Sequence, residues 1–223
     1  MQERYIRNIP SLTEEECLVL KERKVAVIGC GGLGGYIIEY LARTGIGKIV
    51  VADGDTFSES NLNRQLLSTE DNLGKSKAKE AEKRIKSING DIEVTVYECF
   101  LTKENAEDII SGCDTVFDAL DNIPARKILS GACDELNIPY IYGAIQGWSF
   151  QCGAISPKSG IIGLLFPEGT EISDKSVLCF TPAMCAGMQV SLGVKVLLGR
   201  DVEYSKVYYF DMLYNEMEII DFS

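Results

Sequence analysis

A glycine-rich turn near the start of the chain constrains the fold more than any other stretch of the sequence. It follows a short apolar run, residues 25–28, which is typical of a buried parallel strand. A helical pattern of apolar residues that includes Ile37, Ile38 and Leu41 comes after it. The turn carries Gly29, Gly31, Gly32 and Gly34. Glycines let backbone N–H groups approach a phosphate, which the amino end of the helix then faces, so this stretch predicts a nucleotide-binding module.

The next predicted strand, residues 48–52, ends at Asp53, whose carboxylate can accept hydrogen bonds from a ribose. The glycine pattern does not identify the nucleotide, because Gly29, Gly31 and Gly34 also satisfy the dinucleotide fingerprint. An NAD-dependent dehydrogenase is therefore an open alternative at this point. The residues that follow Asp53 must distinguish the two.

The length and composition of the chain predict one α/β domain. Its 223 residues are 46% hydrophobic, which is enough for a well-buried core over residues 1–223. The N-terminus is too charged for a signal peptide and no run of about 18 apolar residues occurs, so we expect a cytoplasmic protein without a membrane partner. Three parts are predicted within the domain: a helical arm (1–23), a nucleotide-binding half (24–135) and an antiparallel extension (136–223).

Charge and residue types exclude several kinds of function. The formal net charge of −11 argues against nucleic acid as a partner, because nucleic-acid binding depends on clustered Lys and Arg. The eight cysteines are scattered without a CxxC pair and the chain has no histidine, so we predict no zinc site. The lack of histidine also excludes catalysis by Ser-His-Asp or Cys-His groups. The chemistry must rely on Lys, Arg, Asp, Asn, Cys or a bound ion.

The stretch after Asp53 is polar, with a second acid at Asp55 and a cluster at residues 60–65. A helix is predicted over residues 76–87, and its first turn is crowded by Lys75, Lys77 and Lys79. Cations are unfavourable at the amino end of a helix, where the macrodipole favours anions. A bound polyphosphate would offset that cost, and the alternative is a basic face that is merely solvated.

A buried strand predicted over residues 115–120 leads directly into Asp121 and Asn122. Ligands of open α/β sheets bind outside the carboxyl ends of the strands, so we expect both side chains in the same crevice as the glycine turn. A carboxylate there suits Mg²⁺, which prefers one or two carboxylates together with phosphate oxygens. The alternative is that Asp121 caps the helix that holds residues 126–133.

The whole pattern predicts an α/β fold with a Rossmann-like, largely parallel sheet, helices on both faces, and antiparallel strands that extend the sheet toward the C-terminus. Ser11 or Thr13 can cap a helix in the N-terminal arm, in front of which Arg4 and Arg7 are typical of a solvated segment. The other predicted elements are strands at 92–97, 138–144, 147–155, 206–213 and 216–222, helices at 105–110 and 181–199, and a loop at 160–175.

Five motifs in a fixed order carry a resemblance to a known family. They are GCGGLG, VADGD, SNLNRQ, GKSKA and DALDN, the last followed by Arg126. In this order they resemble the ThiF/MoeB/HesA group of ubiquitin-activating-like adenylyltransferases, which activate the C-terminal Gly-Gly of small sulfur-carrier proteins in thiamin and molybdopterin synthesis. The resemblance covers Arg4 to about Asp211. This chain is similar to a short form of the family, without the two CxxC pairs that hold zinc in many relatives.

The resemblance implies a role for each matching residue. Lys77 would bind the ATP phosphates and stabilise the developing charge, and Asp121 would hold Mg²⁺. Arg7 matches an N-terminal arginine that reaches the active site of the partner in a homodimer. The resemblance therefore favours a catalytic role for the arm over a solvated segment. The remaining nucleotide-binding residues would be Gly31 and Gly32 at the phosphates, Asp53 at the ribose, Asn61, Arg64 and Gln65 around the phosphates, and Asn122 beside Asp121. Arg64 is also expected to take part in catalysis.

The activity that the resemblance implies is ATP-dependent adenylation of the C-terminal glycine of a ubiquitin-fold sulfur carrier, which would bind the 136–223 half. A peptide C-terminal carboxylate has a pKa of about 3.5, so it is already ionised and needs no general base. Some relatives carry a cysteine that joins covalently to the carrier, but Ile172 occupies that position here. Cys179 falls where relatives have a small residue, so an ordinary thiol is the preferred interpretation.

Two alternatives remain for the function. LARTGIG and NLNRQ also resemble enzymes that adenylate a tRNA-linked threonylcarbamoyl carboxylate and cyclise it. The acidic excess and the DN dipeptide after Leu120 argue against that substrate. The other alternative is a non-catalytic module that keeps the nucleotide pocket as a docking surface, against which stands the presence of Arg64, Lys77 and Asp121 together.

Overall fold

The computed structural model describes residues 3–171 and 176–223 and contains one eight-stranded sheet. The strands are β1 (Lys24–Ile28), β2 (Lys48–Ala52), β3 (Glu93–Tyr97), β4 (Thr115–Asp118), β5 (Tyr140–Gln146), β6 (Ser149–Ile155), β7 (Lys206–Asp211) and β8 (Glu216–Asp221). Their order across the sheet is β3-β2-β1-β4-β5-β6-β7-β8. The strands from β3 to β5 pair in parallel, whereas β6, β7 and β8 pair antiparallel. The predicted Rossmann-like sheet with an antiparallel extension is thus confirmed.

Helices cover both faces of this sheet. They are α1 (Glu14–Glu22), α2 (Gly32–Thr44), α3 (Lys77–Ile88), α4 (Ala106–Ile110), α5 (Ile123–Leu136), α6 (Ile161–Leu165) and α7 (Phe180–Leu197), with a 3₁₀ helix at Glu3–Asn8. Successive residues of a strand point to opposite faces. Accordingly Val25 and Val27 of β1 join a buried cluster with α2, α3 and α7, whereas Ala26 and Ile28 join a second cluster with α4, α5 and α6.

Helix α7 is the longest apolar segment, and it is long and hydrophobic enough to span a membrane by length and composition alone. In the structure it packs against α2 and against strands β5 and β6. Cys185, Ala186 and Gln189 lie on its buried side. The prediction that this helix packs on the sheet is therefore confirmed.

The N-terminal arm packs at the end of α2 that is remote from the glycine turn. The Tyr5 ring contacts Gly45, and the Tyr5 hydroxyl accepts a hydrogen bond of 2.6 Å from the Asn89 amide. Asn8 donates to the carbonyl of Thr44 at 3.3 Å. Thr13 caps α1 in a reciprocal capping box with Glu16, which decides between the two predicted caps.

Two sequence predictions of local structure are wrong. Residues 160–175 do not form only a loop, because α6 occupies Ile161–Leu165; Ile161 and Ile162 are buried under α5, so an apolar contact overrides the Gly- and Pro-rich surroundings. Strand β4 stops at Asp118 instead of continuing to residue 120, since the Asp118 side chain accepts a hydrogen bond from Leu120 N–H and turns the chain. Ile172 lies outside the described residues.

Candidate nucleotide-binding site

The glycine turn is held closely against the ends of two neighbouring strands. Gly29 has a φ of +100°, and its N–H donates to the carbonyl of Ala52 at 2.8 Å. A Cβ at Gly29 would lie 2.6 Å from the Ala119 carbonyl oxygen. A Cβ at Gly34 would overlap the carbonyl of Gly29. Both positions therefore require glycine for steric reasons.

The amino end of α2 faces the crevice above this turn. Gly31 is the N-cap residue, and among the described residues no side chain caps the helix there. The first N–H groups of a helix and its macrodipole favour an anion at this position. Gly31 and Gly32 therefore lie at the amino end of a helix that follows a strand, and Pro182 lies 3.9 Å from a Cβ placed at Gly32; their role at a phosphate stays a prediction.

Asp53 connects the turn to the end of β2. One carboxylate oxygen accepts a hydrogen bond of 2.7 Å from Cys30 N–H, and the other accepts one of 2.8 Å from Asp55 N–H. Burial raises the pKa of Asp53 above its ordinary value, although these hydrogen bonds and the nearby Lys77 oppose the rise. Each carboxylate oxygen keeps a second lone pair, so Asp53 can still accept from a ribose hydroxyl.

Lys77 enters the site from the first turn of α3. Its side chain is 8% exposed, and Nζ lies 3.2 Å from Asp55 Oδ2, which is on a side chain 55% exposed. Lys79, two residues further along the first turn, instead pairs with Glu82 at 3.4 Å on the surface. Asp55 therefore supplies the negative charge that offsets Lys77 at the amino end of the helix.

The 58–65 segment lies over the glycine turn. Asn61 is buried, and its side-chain oxygen accepts from Ser58 N–H at 3.0 Å, so in this structure it holds the segment's own shape. The Arg64 guanidinium donates to the Ser60 carbonyl and to Asn63 Oδ1, both at 2.8 Å. The Arg64 side chain lies 3.8 Å from a Cβ placed at Gly32.

Gln65 is the member of that segment with an unsatisfied group. It is 7% exposed, and its Oε1 has no hydrogen-bond partner among the described residues. Its amide lies 3.6 Å from a Cβ placed at Gly31. A buried acceptor without a partner is costly unless a ligand satisfies it, so Gln65 is placed to contact a group bound at the turn.

Asp121 and Asn122 follow β4 at the same edge of the sheet. Asn122, not Asp121, caps α5, with its Oδ1 accepting from Ala125 N–H at 2.9 Å. Asp121 is exposed and accepts a hydrogen bond of 3.3 Å from the Asn122 amide. Its carboxylate therefore remains available to a ligand. In the described part of the chain no three Cys, Asp or Glu side chains form a metal-binding group, so a hard cation here would need nucleotide oxygens as further ligands.

Arg7 is not part of this constellation within one chain. It is exposed in the 3₁₀ helix Glu3–Asn8, next to the carboxyl end of α2. The 13 residues of α2 separate it from the glycine turn by about 20 Å at 1.5 Å per residue. Cys179, by contrast, is exposed at the amino end of α7, three residues before Pro182, and its carbonyl accepts a hydrogen bond of 3.4 Å from Tyr36.

A buried polar network behind Asp121 was not singled out from the sequence. Asp118 accepts hydrogen bonds from Arg126 at 2.6 Å and from the Tyr140 hydroxyl at 2.5 Å, and both side chains of the ion pair are almost fully buried. Gln189 of α7 donates to the carbonyls of Asp118 and Ile141 at 2.9 and 3.1 Å. The available signal was a charged Asp at the end of an apolar run, followed eight residues later by Arg.

Comparison with known proteins supports the family resemblance over almost the whole chain. Residues 3–223 match the model of the ThiF family. A sulfur carrier protein adenylyltransferase of Thermus thermophilus is 33% identical over 211 residues, which is 88% of this chain and 78% of that protein. A probable molybdopterin-synthase adenylyltransferase of Porphyra purpurea is 36% identical over 200 residues, 86% of this chain. The chain spans about half of that relative, 52% of its length.

Solved structures show the same fold at lower sequence identity. The crystal structure of E. coli MccB with ATP superposes with a TM-score of 0.85 at 20% identity. The superposition covers 100% of this chain and 72% of that chain.

Proposed function

Because the chain belongs to the ThiF family, we propose that it catalyses ATP-dependent adenylation of the C-terminal glycine carboxylate of a ubiquitin-fold sulfur carrier. The reaction would release pyrophosphate and leave an acyl-adenylate, in thiamin or molybdopterin biosynthesis. The relatives are named adenylyltransferases, which gives the enzyme class. The observation that supports the substrate proposal is the 33% identity to a protein named sulfur carrier protein adenylyltransferase, together with a glycine turn next to Arg64 in a chain that keeps Lys77 and Asp121.

Nucleotide binding uses groups that the fold already holds in place. The carboxylate of Asp53 accepts hydrogen bonds from the ribose. The amino end of α2, at Gly31 and Gly32, donates N–H groups to the phosphates. Gln65 Oε1, the buried acceptor without a partner among the described residues, would accept from a hydroxyl or amino group of the nucleotide, and Asn61 keeps the 58–65 segment in position.

The chemical step requires positive charge more than it requires a base. The carrier's terminal carboxylate oxygen attacks the α-phosphorus of ATP, the new P–O bond forms, and the bond to the bridging oxygen of pyrophosphate breaks. Negative charge accumulates on the phosphoryl oxygens and on the departing pyrophosphate. Lys77 moves from Asp55 to those oxygens, and the Arg64 guanidinium turns from its own segment toward them. No proton has to be removed, which agrees with a chain that lacks histidine.

Asp121 is the residue that would hold Mg²⁺, with Asn122 beside it. The donor set fits, because Asp121 is an exposed carboxylate at the carboxyl end of β4 and Mg²⁺ accepts one carboxylate together with phosphate oxygens and water. The ion, when bound, supplies positive charge to the phosphate oxygens. Asn122 stays at the cap of α5 and fixes the direction of the preceding residue.

The active form is proposed to be a homodimer. Arg7 lies about 20 Å from the glycine turn of its own chain, at the other end of α2. A role for Arg7 in catalysis therefore requires that it reaches the site of the second protomer. The two sites of the dimer would each combine residues from both chains.

The direct test is ATP–pyrophosphate exchange by the purified protein with Mg²⁺ and a carrier that ends in Gly-Gly. We expect exchange that depends on the carrier and is lost when its last glycine is removed. Carrier lacking that glycine is the matched control, because it keeps the ubiquitin fold. Exchange that ignores the carrier, or none at all from a protein that binds ATP, would refute the proposal.

A further inference from the structure

We propose that the buried Asp118–Arg126 pair is a positioning device that fixes the segment carrying Asp121 against the glycine turn. The inference rests on the proposed function for its catalytic consequence, but its structural part does not. Asp118 and Arg126 are both buried, so neither side chain is exposed to solvent or to a ligand in the crevice. They act through Leu120, the residue that precedes Asp121.

The pair holds the two peptide groups that flank the Leu120 Cα. Arg126 Nη2 donates to the Leu120 carbonyl at 2.8 Å, while Leu120 N–H donates to Asp118 Oδ1 at 2.9 Å. The neighbouring Ala119 N–H donates to the carbonyl of Ile28 at 3.0 Å, at the base of the glycine turn. The direction in which the chain leaves Leu120 is thus set by hydrogen bonds on both sides of one residue.

The same guanidinium connects this segment to the rest of the sheet. Arg126 Nη2 also donates to the Gly143 carbonyl of β5 at 2.9 Å, and the guanidinium lies over the rings of Tyr142 and Phe166, each 5.1 Å from the ring centroid. Gly143 lacks a side chain, and any Cβ there would overlap the Gln189 amide. Hydrogen bonds through Arg126 therefore connect Leu120 to β5, and Gln189, which packs against Gly143, connects β5 to α7.

Stability is a poor explanation for this ion pair. Removing two charges from water is expensive, and replacing a buried pair by well-packed apolar residues is often neutral or stabilising. The Arg126 guanidinium donates three hydrogen bonds, to the Asp118 carboxylate and to two backbone carbonyls. A pair of apolar side chains cannot make these bonds. The geometry therefore points to orientation of the segment as the function of the pair.

Two variants separate positioning from folding. Arg126→Lys keeps the charge opposite Asp118, but a single ammonium cannot span the carboxylate and both carbonyls. The double variant Asp118→Asn with Arg126→Met removes both charges, so no unpaired charge remains buried. Arg84→Lys is the matched control, because Arg84 also makes a two-bond ion pair, with Glu39, away from the crevice.

The first readout is amide hydrogen exchange of the free protein, which needs no enzyme activity. We expect faster exchange confined to residues 119–126 in both test variants, with the rest of the sheet exchanging close to wild type. The second readout is the steady-state pyrophosphate exchange. We expect kcat to fall by about 10- to 100-fold while KM for ATP stays within about twofold, because the glycine turn and Asp53 are intact.

Three results would overturn the proposal. One is a folded double variant with wild-type exchange at residues 119–126 and wild-type kcat, since the pair would then be replaceable core. Another is faster hydrogen exchange throughout the sheet, which would make the pair a global stabiliser. The third is an equal loss in Arg84→Lys. If wild-type protein shows no pyrophosphate exchange, the proposed function fails, whereas the hydrogen-exchange comparison still decides the positioning role.

Discussion

Lys77 Nζ lies 3.2 Å from Asp55 Oδ2, at the amino end of α3 and beside the loop that carries Asp53. The pair joins a buried lysine to an acid that is more than half exposed. In the free protein Asp55 satisfies the cation, and a polyphosphate that needs Lys77 must compete with it. We therefore expect Asp55 to weaken the binding of a polyphosphate to Lys77.

The first prediction follows from that competition. Asp55→Asn removes the competing charge but keeps a hydrogen-bond acceptor for Lys77. ATP should bind more tightly by up to about fivefold, the equivalent of about 1 kcal/mol for an ion pair with one exposed partner. Isothermal titration measures the change, and Asp108→Asn on the exposed start of α4 is the control for loss of net charge. Weaker binding in Asp55→Asn would mean that the carboxylate itself supports the nucleotide.

The second prediction concerns the two cations of the site. Lys77→Ala and Arg64→Ala should each lower turnover by about a hundredfold or more, because each removes positive charge from the developing pyrophosphate. Both proteins should fold, since the partner that Lys77 leaves behind is a solvated carboxylate. Lys79→Ala is the matched control, as Lys79 lies two residues away and pairs with Glu82 on the surface. Full activity in both variants would remove these residues from the mechanism.

The third prediction tests whether Arg7 acts across a dimer. Arg7→Ala and Lys77→Ala should each be inactive alone. When the two proteins are mixed and allowed to exchange subunits, one site of each mixed dimer is intact, so about a quarter of wild-type activity should return. Pyrophosphate exchange measures the recovery, with differently tagged chains to count mixed dimers. Mixed dimers without recovered activity would exclude the trans role.

The fourth prediction is a pH dependence of nucleoside binding. Burial raises the pKa of Asp53 above the ordinary value of 3.8. The ribose needs the carboxylate, so binding should weaken as the pH falls through that raised pKa, and the free folded protein gains no stability from ionising Asp53 as the pH rises. Adenosine is the probe, because it carries no phosphate that titrates, and protonation of its adenine N1 is measured separately and subtracted. Asp53→Asn should abolish the pH dependence; the same slope in that variant would assign it to another group.

The fifth prediction compares two glycines in helices. Gly34→Ala would overlap the Gly29 carbonyl, so the first turn of α2 must move and ATP affinity should fall by more than about tenfold. Gly187→Ala in α7 meets open space within 4 Å, and it should raise stability by up to about 1 kcal/mol with unchanged ATP binding. Thermal unfolding and ATP titration measure both. Equal ATP affinity in the two variants would mean that the turn tolerates a side chain.

The central parallel strands β1, β2 and β4 were readable from the sequence because they are buried on both faces. Residues 49–52 form an uninterrupted apolar run, and β2 (Lys48–Ala52) has the bounds that were predicted. The glycine turn was readable because the steric need at Gly34 is local: a Cβ there would overlap the carbonyl of Gly29, five residues earlier. Local patterns of this kind fix local structure without help from distant contacts.

What the sequence could not provide depends on residues that are far apart in the chain. The Lys77–Asp55 pair joins positions 22 apart, and Gln189 reaches Asp118 across 71 positions. Neither relationship leaves a periodic trace. Helix α6 was missed because a five-residue apolar segment between glycine and proline becomes helical only when it packs on α5. Asp121 and Asn122 are both good caps, and only the backbone geometry decides for Asn122.

The contact between Gly29 and Ala119 has a mechanical consequence. Ala119 donates its N–H to the Ile28 carbonyl, and its own carbonyl packs against Gly29. Ala119 thus ties the segment that carries Asp121 to the glycine turn. Separating the two would require this contact to break. Entry and exit of ligands are therefore left to the surrounding cover, in which the 58–65 segment approaches Gly31 and Gly32 through the Gln65 and Arg64 side chains.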